Sequence, residues 1–578
     1  MSLFERIEGE RGGDGVEQGK RLIRADEGGL SLAERLAYRL HRLAWRTPFH
    51  AVRLRGRFPL KLLAVPKDPI AGDKAAGEAM MLGSIVYGRE SVALDALDFA
   101  DRDISAGFRE HLQSFAWLRD LAAAETRERA SPLAEAVTKA WLAGHAGQLS
   151  EAAWQPALWG RRIFFWTAYA PYILSSKDMV YRSAVLNTLA RGARHVESGA
   201  EKAPAGLARI SAWAGLIAAG LLVQGGPQRL GRGEAGLVKA LAEGLHDDGG
   251  LKSRSPSEQL RLVELLAQLR TCYLARREQM PESVAEALSA AVAALLAARL
   301  GDEALSSWQG GNMESARGVR AVVEGAGVAA RPLRQARGWG YQHAAAKALT
   351  VVMDGAPPPA ARVLKGGCAS TLAIEASDGA ERLIVNCGGV GARQGLLAEP
   401  LVQALRTTAA HSTLTLGDRN STAIHDDGSI GKGVSEVEIA RTDLDGTVRI
   451  EAAHDGYVRR FGLAHQREIY LSSDGRELRG EDRLVPRGRK RGEARPFAVR
   501  FHLAPAVEAT TTADGHGALL RIRGGRLWQF RCRGGDMDIE ESIWIDGEAR
   551  PHRGSQLVIS GESPADGISI GWTFRTGG

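Results

Sequence analysis

The 578-residue sequence has little of several features that mark specialised protein classes. It contains four cysteines, Cys272, Cys368, Cys387 and Cys532, and no two of them form a CxxC pair, which excludes a zinc ribbon and a thioredoxin-type motif. A disulfide framework is therefore not expected, and a reducing compartment is the simpler interpretation. The most apolar run, residues 212–223, is shorter than the ~20 residues that a membrane-spanning helix needs. It predicts a buried helix instead.

The net charge of the chain is also small. The chain has 75 Lys and Arg residues against 68 Asp and Glu residues, for a net charge of +7. This small excess favours acidic partners. Nucleic acid is not predicted, because no basic stripe is interleaved with aromatic residues. The N-terminal residues lack the apolar segment of a secretory signal, so the sequence by itself predicts a cytoplasmic protein and leaves the oligomeric state open.

Common catalytic signatures are missing as well. The sequence contains no HExxH, EF-hand or Walker motif, so the usual patterns for a zinc protease, a calcium site or a phosphate loop are excluded.

The sequence has two textures along its length. From about residue 30 to residue 349 it is rich in Ala and Leu, with apolar residues spaced three and four apart, as in amphipathic helices. Helices are predicted over residues 131–143, 181–196, 205–222, 234–245, 257–277 and 281–300.

After Pro357–Pro359 the texture changes to short alternating or apolar runs. Eight Asp-Gly pairs follow from Asp378 onward, and this is the usual chemistry of tight hairpins. Strands are predicted over residues 371–375, 382–386, 413–416, 436–440, 447–452, 468–471 and 497–503. The chain is therefore predicted to be multidomain, α then β, with a flexible segment at 1–30, a helical domain at 31–350 and a β-sandwich at 360–578.

An aromatic-rich segment, residues 154–172, is the first candidate binding region. Aromatic faces stack on sugars and Arg pairs with carboxylates or sulfates, so Trp159, Arg162, Trp166 and Tyr172 are candidate substrate-binding residues. The alternative is that these rings fill the helical core.

Polar loops provide further candidates. His246 opens a Gly-rich connection between two predicted helices, where substrates often meet a scaffold, and an ordinary loop is the alternative. In the β region His411 leads into a strand, and Tyr457 follows a strand end as a candidate substrate-binding residue. Histidine exchanges protons near neutral pH, although a lone histidine is more often structural.

Five segments stand out as longer motifs: PKDPIAGD (66–73), FAWLRDLAA (115–123), DGGLKSRSP (248–256), RTTAAHSTL (406–414) and HDGYVRRFGLAHQREIYLSSDGRELRGEDRL (454–484). They resemble motifs of the heparinase II/III-like family of polysaccharide lyases, of alginate lyase and heparinase type, and in particular a bacterial branch with an N-terminal helical domain. The resemblance covers nearly the whole chain. It implies an N-terminal incomplete α/α toroid, a C-terminal antiparallel β-sandwich and a periplasmic location.

The resemblance also implies β-elimination in acidic, uronic-acid-containing glycans. A base removes the proton next to the sugar carboxylate, and the glycosidic oxygen leaves, so the site must neutralise the carboxylate and supply a base and an acid. The family uses an Asn or His and a Tyr of the toroid, together with a His of the sandwich. This sequence has Ala203 near the Asn-His position, Glu258 at the Tyr position and Cys368 near the sandwich His position.

The candidate catalytic residues are therefore Glu258 and His411 for proton transfer and Arg254 for holding the sugar carboxylate. Some family members also hold a zinc ion in the sandwich, and the corresponding positions here are Cys368, Asn386 and His411. Asn is a poor zinc ligand, so zinc is a possible cofactor and no other is expected.

Three functions remain open from the sequence. The chain is an active lyase whose partner is an acidic polysaccharide, or a catalytically degenerate glycan-binding or cell-envelope biogenesis protein that keeps the lyase fold. The third possibility is a scaffold whose sandwich face binds another protein.

Overall fold

The computed structural model describes residues 19–25, 54, 56, 61–99, 103–147, 149–224, 226–364, 366–389, 391–393, 395–487 and 493–577. Most of the predicted flexible segment 1–30 lies outside these residues. The described part of it, 19–25, contains a strand that pairs with the C-terminal half of the chain, which corrects the prediction for these seven residues.

Helices make up most of the first half of the described chain, as predicted. They are α1 (Lys74–Met81), α2 (Ala106–Ser114), α3 (Trp117–Ala124), α4 (Arg127–His145), α5 (Glu151–Trp154), α6 (Pro156–Ala168), α7 (Ala170–Ile173), α8 (Met179–Gly199), α9 (Leu207–Leu222), α10 (Pro227–Gly244), α11 (Pro256–Arg276), α12 (Glu282–Ala297) and α13 (Ala316–Ala326). Two short helices, α14 (Glu399–Ala404) and α15 (Val458–Phe461), lie among the later strands.

Helix α9 lies at the centre of the helical core. Every residue from Ile210 to Leu222 is buried, which explains the long apolar run in the sequence. One of its two glycines, Gly215, lies against Gly160 of α6 so closely that a Cβ at Gly215 would be 2.2 Å from the Gly160 Cα. The two backbones meet here because neither residue has a side chain.

Strands make up most of the second half. They are β1 (Arg21–Arg24), β2 (Ser84–Tyr87), β3 (Glu90–Ala93), β4 (Tyr341–Ala346), β5 (Leu349–Asp354), β6 (Ile374–Asp378), β7 (Glu381–Val385), β8 (Leu414–Leu416), β9 (Glu436–Leu444), β10 (Thr447–His454), β11 (Leu463–Leu471), β12 (Glu477–Pro486), β13 (Arg495–Leu503), β14 (Val507–Thr511), β15 (Gly517–Ile522), β16 (Leu527–Arg533), β17 (Asp536–Ile545), β18 (Pro551–Ser563) and β19 (Ile568–Thr576).

Two antiparallel sheets enclose the second core. One has the strand order β1-β9-β10-β11-β12-β19-β16-β15-β14. The other has the order β17-β18-β13-β7-β6-β5-β4, with β8 also paired to β13. Val351 and Val499 of the second sheet share a continuous apolar core with Ile450 and Phe574 of the first. Alternation of buried and exposed residues, as in β10, positions one face of each sheet on this core.

The boundary between the two halves differs from the prediction. The predicted helical domain extended to residue 350, yet the sheet begins at Tyr341, and β4 and β5 form a hairpin with Lys347 at its turn. Its alanine-rich strand looks helical in sequence, but pairing and burial against the sheet decide its conformation. Within the described residues no helix is long and apolar enough to cross a membrane.

Candidate functional site

A cleft of about 400 Å³ opens among four helices of the first half. We name it the helical cleft. Its lining comes from α2, α6, α9 and α11, and includes Arg109, Glu110, Arg161, Leu207, Ser211, Glu258, Arg261, Glu264 and Gln268. Helices α6, α9 and α11 pack on the same apolar core, which fixes the positions of these polar residues.

Helix α11 provides a polar stripe along the cleft. Glu258, Arg261, Glu264 and Gln268 follow each other at intervals of three or four residues, so they lie on one helical face. Most other α11 positions are apolar and buried. This stripe was visible in the sequence as a polar face on an otherwise apolar helix, and the sequence reasoning selected Glu258 alone from it.

Ion pairs connect the charged residues of the helical cleft. Glu110 pairs with Arg161 and with Arg261, whose Nη1 is 3.1 Å from the Glu110 carboxylate. Glu264 accepts a 2.6 Å bond from Arg119 and is 4.0 Å from Arg161. Burial would raise the pKa of Glu110, but Arg261 and Arg161 lower it to about 2. The guanidinium groups at the cleft are thus largely neutralised by carboxylates of the protein itself.

Glu258 differs from the other acids of the cleft. Burial raises the pKa of its carboxyl group above the usual value, and the positive charge of Arg261 opposes this rise. No hydrogen bond or ion pair within the described part of the chain joins Glu258 to Arg254 or to His411. The structure therefore does not unite the three predicted catalytic residues by direct contacts.

Arg254 joins the two halves of the protein. It lies in the loop before α11 and is buried. Its guanidinium group donates to the carbonyl oxygens of Trp339 (2.9 Å), Ala356 (3.2 Å) and Pro357 (2.7 Å), and it pairs with the Asp354 carboxylate. The predicted role, holding a sugar carboxylate, needs correction, because these partners already occupy and neutralise the guanidinium group.

His411 lies in the second half of the chain, just before β8. Its Nδ1 atom is 2.7 Å from the carbonyl oxygen of Thr407, and only 1% of the residue is exposed. Burial lowers the pKa of the ring to about 4, although the hydrogen bond to Thr407 and the charge of Asp354 oppose the shift. The ring is therefore neutral at pH 7 and is enclosed by protein.

The predicted sugar-binding residues of α6 are part of the core. Trp159, Arg162 and Trp166 are all 0% exposed. The Arg162 guanidinium carbon lies 4.5 Å from the centre of the Trp159 ring, and its Nη1 donates to the Ala153 carbonyl oxygen at 2.9 Å. The alternative of core packing is correct for these three residues, and it is the neighbouring Arg161 that lines the helical cleft.

The remaining predicted contacts lie in three separate places. Tyr172 is half-buried, with its ring 6.0 Å from that of Tyr169. Tyr457 is buried in the sandwich and donates a 2.9 Å bond to the Leu414 carbonyl oxygen, so it does not present a face to a ligand. His246 lines a second cavity, at the junction of the two halves.

The predicted zinc positions do not fit a metal. The Asn386 amide donates to Glu375 at 2.9 Å and accepts from the Ser412 backbone at 2.9 Å. Burial raises the pKa of the Cys368 thiol to about 11, which disfavours the thiolate that binds zinc. Among the described residues there is no group of three or more His, Cys, Asp and Glu side chains that could hold a metal ion.

Comparison with known proteins identifies the class that this fold defines. Residues 328–573 match the family described as "Heparinase II/III-like, C-terminal". The whole described architecture is similar to the crystal structure of heparinase III, with a TM-score of 0.66 and 12% identity over 95% of this chain and 85% of that one. Residues 328–573 therefore match the heparinase II/III-like family, and the chain shares the fold of heparinase III, as the sequence resemblance predicted.

Two further relatives extend the comparison. Heparan sulfate lyase HepC from Pedobacter heparinus is 14% identical and has a TM-score of 0.57, covering 94% of this chain and 87% of its own. "FtsZ-localized protein C" of Caulobacter vibrioides is 28% identical over 551 residues, which are 90% of this chain and 92% of the relative. The lyase structures establish the shared fold, and the second relative matches along almost the full length of both chains.

Proposed function

We propose that this protein keeps the lyase fold without the elimination reaction and acts at the division site in cell-envelope biogenesis. The observation that carries the proposal is the 28% identity to "FtsZ-localized protein C" over 90% of this chain. Because that alignment spans both halves, the localisation of the relative is a reasonable guide to the whole chain. The place of action would then be the cytoplasmic division site.

The chemistry of the helical cleft supports the non-catalytic part of this proposal. Among its described lining residues there is no His, Tyr or Asn. Elimination needs a base and an acid near the reacting carbon, and a cation to neutralise the sugar carboxylate. Arg161 and Arg261 already pair with Glu110, and His411 is buried in the second half of the chain.

Localisation in cells tests the division-site role. We expect a fluorescent fusion of the full-length protein to form a band at the division site, and the band to disperse when FtsZ is depleted. A uniform signal in dividing cells would contradict the proposal. The same fluorescent protein, expressed without a fusion partner, is the control for the imaging.

A lyase on an acidic glycan is the second candidate, and Glu258 is the observation that favours it. A carboxyl group with a raised pKa is suited to protonate a leaving oxygen. Purified protein incubated with a panel of uronic-acid polymers distinguishes the two functions. A rise in ultraviolet absorbance from an unsaturated uronate that Glu258→Gln abolishes would establish the lyase, whereas affinity without product would indicate glycan binding alone.

A further inference from the structure

The cations of the helical cleft are already bound by groups of the protein. Three arginines line the described part of the cleft: Arg109, Arg161 and Arg261. Arg161 and Arg261 both pair with Glu110, and Arg109 donates to the Ile104 carbonyl oxygen at 3.0 Å. A site for a polyanion needs cations that attract the ligand, so this arrangement disfavours a polyanion.

Glu110 of α2 is the counter-ion for two arginines at once. One of its carboxylate oxygens pairs with Arg161 of α6, and the other lies 3.1 Å from Nη1 of Arg261 of α11. All three side chains line the cleft and are half-buried. Because the two arginines lower the pKa of Glu110 to about 2, its carboxylate stays ionised at neutral pH.

A second carboxylate extends this network. Glu264 accepts a 2.6 Å bond from Arg119 and lies 4.0 Å from Arg161. Arg119 is itself shared with Asp68, at 2.8 Å. The positive charges of the three arginines lower the pKa of Glu264 as well, although burial opposes the shift. A negatively charged ligand that approached Arg161 would therefore meet two carboxylates of the protein and be repelled.

The same lining suits hydroxyl groups. A guanidinium group carries five N–H donors, more than its bond to a carboxylate oxygen uses, so Arg161 and Arg261 remain donors to a ligand. The carboxylates of Glu110 and Glu264 accept hydrogen bonds, and the Gln268 amide both donates and accepts. A hydroxyl group also does both. None of the 16 described lining residues is aromatic, which favours recognition by hydrogen bonds over ring stacking.

We propose that Glu110 makes the helical cleft selective for an uncharged, hydroxyl-rich ligand, such as a neutral oligosaccharide, over a negatively charged one. With the counter-ion supplied by the protein, Arg161 and Arg261 donate hydrogen bonds but do not attract an anion. The volume of about 400 Å³ is within the usual range for small-molecule sites, roughly 300–1,000 Å³. The inference rests on the proposed function, because it assigns a ligand to a cleft that binds without reacting.

Calorimetric titration of the full-length protein with two matched trisaccharides tests this selectivity. Trigalacturonate is negatively charged, and its methyl ester has the same sugar rings without the charge. For the wild type we expect saturable binding of the ester, with a Kd about tenfold lower than that of trigalacturonate. Glu110→Gln releases two guanidinium groups, so it should lower the Kd of trigalacturonate about tenfold and leave that of the ester nearly unchanged.

Glu303→Gln is the matched control. Glu303 also pairs with two arginines, Arg299 and Arg320, but its side chain is 42% exposed and is not part of the cleft lining. This variant should keep both wild-type affinities. The double variant Glu110→Gln/Arg261→Gln should lose the gained affinity for trigalacturonate. Glu264→Gln, which removes the other carboxylate near Arg161, should act in the same direction as Glu110→Gln. Circular dichroism confirms that each variant is folded.

Three results would overturn the proposal. The wild type could bind trigalacturonate as tightly as the ester, neither trisaccharide could bind saturably, or Glu303→Gln could gain as much affinity as Glu110→Gln. The proposed function has a separate readout in the same samples. An unsaturated product that absorbs in the ultraviolet would contradict the loss of elimination, whereas the ratio of the two Kd values reports on selectivity alone.

Discussion

Asp482 is the charged centre of a buried network in the sandwich. Arg467 approaches its two oxygens at 2.7 and 3.0 Å, the His465 Nε2 lies at 2.7 Å, and the Trp572 indole donates at 2.8 Å. Burial would raise the pKa of the Asp482 carboxyl group, but Arg467 and His465 hold it below its usual range. A carboxylate held in this way stabilises the fold only while it is ionised.

The Asp482→Asn substitution should therefore reduce the free energy of unfolding at pH 7 by about 3–5 kcal/mol, because it leaves the Arg467 charge buried without its counter-ion. Urea denaturation followed by circular dichroism measures the change. Asp538→Asn, an exposed position in the same domain, is the control and should change stability by at most ~0.5 kcal/mol. Equal losses of stability in the two variants would contradict the role of Asp482 as the buried counter-ion of Arg467.

His411 predicts a second pH dependence. It arises because burial favours the neutral form of this ring, whereas Asp482 is held in its charged form. Burial lowers its pKa from an ordinary value of about 6.5 to about 4, so the unfolded chain binds the proton first as the pH falls. The stability that this group contributes is complete above pH ~6.5 and is lost between pH ~6.5 and ~4.

In the variant His411→Gln, the free energy of unfolding should fall less steeply over this pH interval than in the wild type, by a total on the order of 3 kcal/mol. Denaturation at a series of pH values gives the slope. The variant His425→Gln, at an exposed ring, should keep the wild-type slope. A wild-type slope in both variants would show that other groups control the acid response.

At the residue scale, sequence indicates chemistry better than it indicates position. Arg161 and Arg162 are neighbours with identical side chains, yet the first lines the helical cleft and the second is enclosed by indole rings. The rotation of 100° between consecutive helical residues separates them, and only the packing of α6 decides which one faces the core. The sequence could not make this choice.

At the scale of elements, the close contact of α6 with α9 allows a direct test of packing. A Cβ at Gly215 would meet the Gly160 backbone at 2.2 Å, so the Gly215→Ala substitution must separate the helices. We expect a loss of about 3 kcal/mol in the free energy of unfolding, at the upper end for overpacked cores. A melting experiment on the purified variant measures it.

The control for this prediction lies in the next helix. A Cβ at Gly231 of α10 meets no atom within 4 Å, and the residue is exposed. Because alanine favours the helix over glycine by roughly 1 kcal/mol, Gly231→Ala should stabilise the protein. If both variants lost the same stability, glycine content and not the close approach would be the cause.

Most of the helices and hairpin turns could be predicted from the sequence. Each of the six predicted helices overlaps an observed helix, because an apolar stripe at helical spacing needs no distant partner to be recognised. The Asp445-Gly446 pair forms the β9–β10 turn with φ of 49° and 77°, as tight hairpin chemistry requires. The alanine-rich β4 was missed because its local preference is overridden by sheet pairing.

At the scale of the whole molecule, Arg254 and Asp354 couple the helical half to the sandwich. Replacing Arg254 with Gln leaves the Asp354 charge buried without its partner and weakens the bonds to the proline segment. We expect calorimetry of Arg254→Gln to show the two halves melting in separate transitions where the wild type melts in one. Lys252→Gln, in the same loop, should keep a single transition, and separate melting in both variants would refute the coupling.

The contact between Arg254 and Asp354 could not be predicted from the sequence. Arg254 and Asp354 are 100 positions apart, and neither residue stands in a pattern that marks it as half of a pair. The sequence motif around Arg254 suggested a ligand contact, because an arginine in a polar loop carries the same chemistry whether its partner is a sugar or a carboxylate of the protein. Only the folded chain identifies the partner.

Strand β1 has a consequence for how the protein is made. Its hydrogen bonds to β9 join residues 21–24 to residues 436–439, with the whole helical half in between. During synthesis the first of these segments leaves the ribosome long before the second exists, so it must wait for its neighbour. A chain shortened past residue 25 would present the bare edge of β9 to other molecules, and strand edges of that kind promote aggregation.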